Sequence, residues 1–137
     1  MNESILYVDT SGFYASLARD DAHHDEALAI LNRAERESLS LITANFIVAE
    51  AHALILHRLG HDAATAFLRG FEGSRIVVIR ASVEDERNAH EIIYRYTDKL
   101  FSLTDAISFA VMDRLGIATA FTFDRDFERY GFAAARA

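Results

Sequence analysis

The chain has 137 residues, 51% of them apolar and 26% charged, with a formal charge of −7 at neutral pH. That length suits one domain of about 100–150 residues, and the composition excludes a disordered chain. The absence of cysteine excludes disulfides, thiolate metal sites and cysteine nucleophiles, while the acidic balance excludes nucleic-acid binding by bulk electrostatics.

The opening Met-Asn-Glu-Ser carries an acid where a secretory signal needs basic residues. No apolar run reaches the ~18–20 residues of a membrane span, so the expectation is a cytoplasmic protein with no membrane contact. Residues 5–9 read as a strand ending in Asp9, Thr10-Ser11-Gly12 as a turn, and 13–18 as a short helix. A second helix runs from Asp20-Asp21 to about 37, its acids early and Arg33 and Arg36 late, as the macrodipole favours. Strand 39–43 leads into helix 44–59, stopped by Gly60; a helix over 61–71 and a β-branched strand over 75–79 follow. Ser82-Val83-Glu84-Asp85 is a capping-box start for a helix to about 97. Residues 102–115 form a helix closed by Gly116, 117–122 a strand, 124–130 a turn or two of helix, and 132–134 a last short strand.

Strands apolar on both faces, alternating with helices, predict an α/β fold: a three-layer α/β/α sandwich around a mostly parallel sheet covered on both sides, as a single domain over 1–137. The functional edge of such a sheet lies beyond the strands' carboxyl ends, where the topology switches direction. Three aspartates fall there. Asp9 ends the first strand, Asp124 follows the 117–122 strand, and Asp105 sits in the first turn of the 102–115 helix. Each has a structural explanation as a cap or an Asx-turn, and strand ends and helix starts share that edge in any case. Glu50 is different. It stands mid-helix, where capping is impossible, on a stripe with Phe46, Ile47 and Leu54. The spacing points it where core side chains point, into a polar pocket; the alternative is a position at the stripe's rim, in water.

A pocket of Asp9, Glu50, Asp105 and Asp124 needs compensation. Two like charges ~5 Å apart cost ~3 kcal/mol at an effective dielectric of ~20. Either protons are retained or divalent cations bind, and all-oxygen ligands rank Mg²⁺ or Mn²⁺ ahead of Ca²⁺. Metal-assisted phosphodiester hydrolysis is the chemistry that matches such a site.

Val8-Asp9-Thr10-Ser11, Glu50, Leu103-Thr104-Asp105-Ala106 and Thr122-Phe123-Asp124-Arg125-Asp126-Phe127 together resemble a PIN domain, and within that family the small stand-alone ribonucleases that include VapC toxins. The ordered set spans nearly the whole chain. The resemblance implies Mg²⁺- or Mn²⁺-dependent cleavage of single-stranded or loop RNA by Asp9, Glu50, Asp105 and Asp124, as metal ligands. It also implies that Thr10 and Thr122 orient ligands or water, and that the protein is a homodimer inhibited by a cognate antitoxin. Asp126, two residues after Asp124, is the alternative fourth acid. Arg19, Arg58, Arg125 and Arg129 are the candidate phosphate contacts. A non-catalytic PIN-like module that binds RNA or protein is the rival reading.

Other features are read as structural. No His-Glu-x-x-His pattern occurs, and His23-His24, flanked by acids, read as a solvated helix start. Tyr94 and Tyr96 are two apart on a helix, so at most one is buried. The Asp9-Thr10-Ser11 start also resembles haloacid-dehalogenase phosphatases, but Ser11 stands where those need a second aspartate.

Overall fold

The computed structural model describes residues 2–137. Five strands, β1 (Asn2–Val8), β2 (Ser40–Ala44), β3 (Val77–Ile79), β4 (Ile117–Phe121) and β5 (Ala133–Ala134), form one sheet in the order β3-β2-β1-β4-β5. Every pairing is parallel. Interspersed are α1 (Thr10–Leu17), α2 (His24–Arg36), α3 (Asn45–Leu59), α4 (His61–Arg69), α5 (Val83–Arg95), α6 (Leu103–Leu115) and α7 (Asp126–Tyr130). No helix among the described residues is long and apolar enough to cross a membrane.

The chain leaves β1 toward β2 on one side and returns to pair β4 on the other. The switch point therefore lies where β1 and β4 end, at Asp9 and Thr122. Tyr7 and Val8, on opposite faces of β1, are both buried, as a central parallel strand requires. The sheet is not covered everywhere. At the β3 edge Val77 and Val78 remain 48% and 36% exposed, so the β-branched run predicts the strand but not its cover.

Local signals end most elements as expected. Gly60 (φ +96°) closes α3, and Gly116 (φ +68°) closes α6 in the left-handed conformation that glycine tolerates. Ser82 and Asp85 form the reciprocal capping box of α5. Two helix starts differ from expectation. Asp20 and Asp21 stand outside α2, because Asp21 folds a turn in which its Oδ1 accepts the His23 N–H at 2.9 Å. Likewise α7 begins at Asp126, because Asp124 Oδ1 accepts the Asp126 N–H at 2.9 Å.

The core gathers Tyr7, Phe109, Phe121, Phe127 and the aliphatics of α2, α3 and α6. Helix α6 is buried continuously from Asp105 to Met112, which assigns its broad apolar character to the monomer's own core. Of the tyrosine pair, Tyr94 is exposed and Tyr96 packs against Phe101 and Tyr130. Gly12 brings α1 against the end of β4. A Cβ there would stand 2.5 Å from the Phe121 carbonyl oxygen, which itself accepts the Asp9 N–H at 3.1 Å.

Candidate active site

Asp9 follows β1 directly and is 3% exposed. Its Oδ2 accepts from Thr122 Oγ1 at 2.9 Å and from Ser11 Oγ at 3.1 Å. Both hydroxyls also accept: Thr122 from the Asp124 N–H at 3.0 Å, Ser11 from the Phe123 N–H at 2.8 Å. These bonds tie the ends of β1 and β4 and the loop after β4 into one unit. Burial pushes the Asp9 carboxyl up to about 6, with the Asp124 charge adding and the bonds from Thr122, the Thr10 N–H and Ser11 opposing.

Asp105 enters from the first turn of α6, where its N–H donates to Ser102 Oγ at 3.1 Å. Burial, then Asp124, then Asp9 push its carboxyl up to about 7, against hydrogen bonds from Ser102. Carboxylate oxygens of Asp105, Asp124 and Asp126 lie within 4.8 Å of one another. The structure thus brings both candidates for the fourth acid to Asp105. Their surroundings differ, since Arg129 Nη1 donates to Asp126 Oδ1 at 2.9 Å, whereas no ion pair engages Asp124 among the described residues.

Glu50 does not lie where the spacing predicts. The buried stripe of α3 is Ile47, Ala51 and Ile55, and Glu50 is exposed at its rim. The carboxylate bends back, and Thr10 Oγ1 donates to its Oε1 at 2.5 Å, which holds it beside Asp9's neighbour. Beneath the acids, Tyr7 is buried and donates to Ser108 Oγ at 2.7 Å. Burial raises its phenol, and the charges of Asp9, Asp105 and Glu50 add to the shift.

Of the four candidate arginines, all are exposed; Arg58 lies over the Tyr14 ring at 5.2 Å and Arg129 is engaged by Asp126. Ser11 was not singled out as a site residue by the sequence. Its position in Asp-Thr-Ser was the available signal, because a hydroxyl two residues after an aspartate can reach back to it. The histidine pair stands at the start of α2 with His23 exposed, as expected, but both rings also have partners: His23 stacks on Phe123, and His24 Nδ1 lies 2.7 Å from the Ala15 carbonyl.

Comparison with known proteins agrees with this geometry. The PIN domain family matches residues 6–133. The chain is 34% identical over 133 residues to the 23S rRNA-specific endonuclease VapC20 of Mycobacterium tuberculosis, covering 96% of this chain and 98% of that protein. It is 28% identical over 120 residues to Ribonuclease VapC26 of the same organism, covering 88% and 87%. The crystal structure of VapC20, described as a sarcin–ricin-loop-cleaving toxin, superposes with a TM-score of 0.90 over 96% of this chain and 99% of that one, at 32% identity. VapBC2 from Rickettsia felis shares the fold at a TM-score of 0.73 and 14% identity, over 95% and 96% of the two chains. With a full-length family match, the parallel five-stranded sheet and the acids gathered at its switch point, this chain belongs to the PIN-domain family, as a VapC-like member.

Proposed function

We propose that this protein is a Mg²⁺- or Mn²⁺-dependent endoribonuclease that hydrolyses phosphodiester bonds in single-stranded or loop RNA, as the toxin of a toxin–antitoxin pair. One observation carries the reading. Carboxylates of α6, the β4–α7 loop and the start of α7 converge near the buried Asp9, and no ion pair engages Asp9, Asp105 or Asp124 among the described residues. The donor set fits a divalent cation: it is all oxygen, oxygens of Asp105, Asp124 and the neighbouring Asp126 converge within 4.8 Å, and the Asp9 and Asp105 carboxyls, pushed up first by burial and then by neighbouring carboxylates, have no ion-pair partner among the described residues. Asp9, Glu50, Asp105 and Asp124 would hold the ion, which when bound acidifies an attacking water and stabilises the leaving oxygen.

The chain's own contribution is preorganisation. Thr122 and Ser11 fix the Asp9 carboxylate in one orientation, and Thr10 does the same for Glu50. Asp126, paired with Arg129 and converging with Asp105 and Asp124, is the alternative fourth ligand. The identity to VapC20 and VapC26, both named as RNA-cutting enzymes, supports RNA as the substrate. The toxin description of VapC20 supports an antitoxin partner. A homodimer is part of the same proposal and is read by light scattering of the purified protein.

The deciding experiment incubates total RNA, and a hairpin bearing the sarcin–ricin loop, with purified protein and Mn²⁺. The expected result is cleavage that EDTA abolishes and that Asp9→Asn loses while its circular dichroism spectrum is unchanged. A wild type that cuts no RNA and shows no metal-induced thermal shift would instead establish a non-catalytic binding module.

A further inference from the structure

The segment between α1 and α2 carries His23, whose ring lies face to face with that of Phe123, centroids 4.4 Å apart and planes 8° from parallel. Phe123 stands between Thr122, which holds Asp9, and Asp124, whose oxygen converges with those of Asp105 and Asp126. The stack is therefore carried by the same loop that carries Asp124 and holds Asp9. Its outer ring is exposed yet held. Asp21 Oδ1 accepts the His23 N–H at 2.9 Å, the Asp21 carbonyl accepts the His24 N–H at 3.0 Å, and His24 Nδ1 anchors to the Ala15 carbonyl of α1 at 2.7 Å. The inner ring is fixed as well, by the Phe123 N–H to Ser11 and by edge-on packing against Phe121 at 6.0 Å.

A ring stacked on one face offers the other. An exposed flat π-surface, immobilised beside a centre that cuts phosphodiesters, suits a nucleobase, and such stacking typically changes affinity by about 5- to 150-fold per base. Charge pairing is a poor alternative on this surface. The chain carries −7, and Asp20, Asp21, Asp25 and Glu26 surround His23 in sequence. Arg129 is engaged by Asp126 and Arg58 lies over Tyr14, which leaves Arg19 and Arg125 of the four candidate arginines to pair with phosphate. A face-to-face stacking contact grips RNA without needing a basic patch.

We propose that His23, backed by Phe123, is a stacking platform for the base of a nucleotide adjoining the scissile phosphate, and thereby sets substrate preference. The inference rests on the nuclease reading for its substrate class. It makes a demand of that substrate: the base beside the cut must be unpaired, because a base inside a duplex has no free face to give. His23 is a specificity residue and takes no part in bond breaking.

The test is kinetic and spectroscopic. With an RNA that the wild type cuts, His23→Ala should raise KM by ~10-fold and leave kcat within about threefold, and His23→Trp should restore KM. A substrate made abasic at the stacked position should be cut equally by wild type and His23→Ala. Separately, single-stranded oligoribonucleotides with 2-aminopurine placed at successive positions are titrated with intact protein in Ca²⁺. Quenching at one position by wild type and His23→Trp, and its loss in His23→Ala, would support the platform. An unchanged KM in His23→Ala, a loss confined to kcat that tryptophan does not restore, or no quenching by the wild type at any position would overturn it. Quenching without RNA cleavage in Mn²⁺ would defeat the nuclease reading and leave the platform standing; cleavage without quenching would defeat the platform alone.

Discussion

Asp85 and Asp105 occupy the same place in the same pattern, Ser-x-x-Asp at the start of the adjacent helices α5 and α6, and both are buried. Asp85 closes a full capping box and receives Arg114 through two bonds of 2.8 Å. The guanidinium, ahead of the Ser82 bonds, holds its carboxyl below the usual range despite burial. Asp105 has the Ser102 cap but faces Asp9 and Asp124, and its carboxyl rises. A helix start thus becomes a structural staple or a candidate ion ligand according to what the fold places opposite it. The Ser-x-x-Asp spacing is the same in both.

That contrast can be broken by exchanging the two roles. Asp105→Asn should reduce RNA cleavage by more than about 100-fold, the upper end of what losing a group one shell outside the metal costs. Asp85→Asn should leave the turnover of the folded fraction unchanged. Thr122→Val removes only the hydroxyl that orients Asp9 and should cost about 10- to 100-fold, read as initial rates at saturating Mn²⁺. Asp124→Asn should be more damaging than Asp126→Asn, because Arg129 already partners Asp126.

Stability should respond in the opposite sense. Arg114→Ala strands a carboxylate that is 0% exposed and should cost about 2 kcal/mol in urea unfolding. This is below the ~3–5 of a fully buried pair, because the arginine reaches water. The pH dependence sharpens the contrast further. Asp9 and Asp105 have folded-state values of about 6 and about 7, above the unfolded ~3.9. In metal-free protein the stability they contribute is full at low pH and is lost as pH climbs through those values. Asp85 runs the other way, its contribution present above ~3.9 and lost as pH falls through its depressed value. Thermal midpoints without metal should therefore fall between about pH 4 and 7, added Mn²⁺ should recover more at pH 8 than at pH 5, and Asp105→Asn should flatten both trends. The smallest effect is on salt dependence. With few free arginines at the site, the log–log slope of RNA binding should be shallower than about −5.

Periodicity and end signals made the fold readable. Apolar runs, Gly60, Gly116 and the Ser82 box gave the order and kind of every element, because each acts through the backbone nearby. What escaped depends on distant partners. The exposure of Val77 and Val78 follows from β3's place at the sheet edge, which no local pattern encodes. Glu50 departs from its helical spacing, which points it inward: it lies at the rim of α3, and a hydroxyl from α1 donates to its carboxylate. Ser11 and His23 act on the β4–α7 loop more than a hundred and about a hundred residues away, respectively, and the chain carries no mark of either contact until it is folded.

The main chain at Asp9 is secured without its carboxylate. Its N–H donates to the Phe121 carbonyl and its own carbonyl accepts the Phe13 N–H, each at 3.1 Å. Chemistry and architecture are therefore separable at this position. A silenced Asp9→Asn protein would keep its shape, could be produced in cells that the active form would poison, and would serve as bait for capturing the uncut RNA.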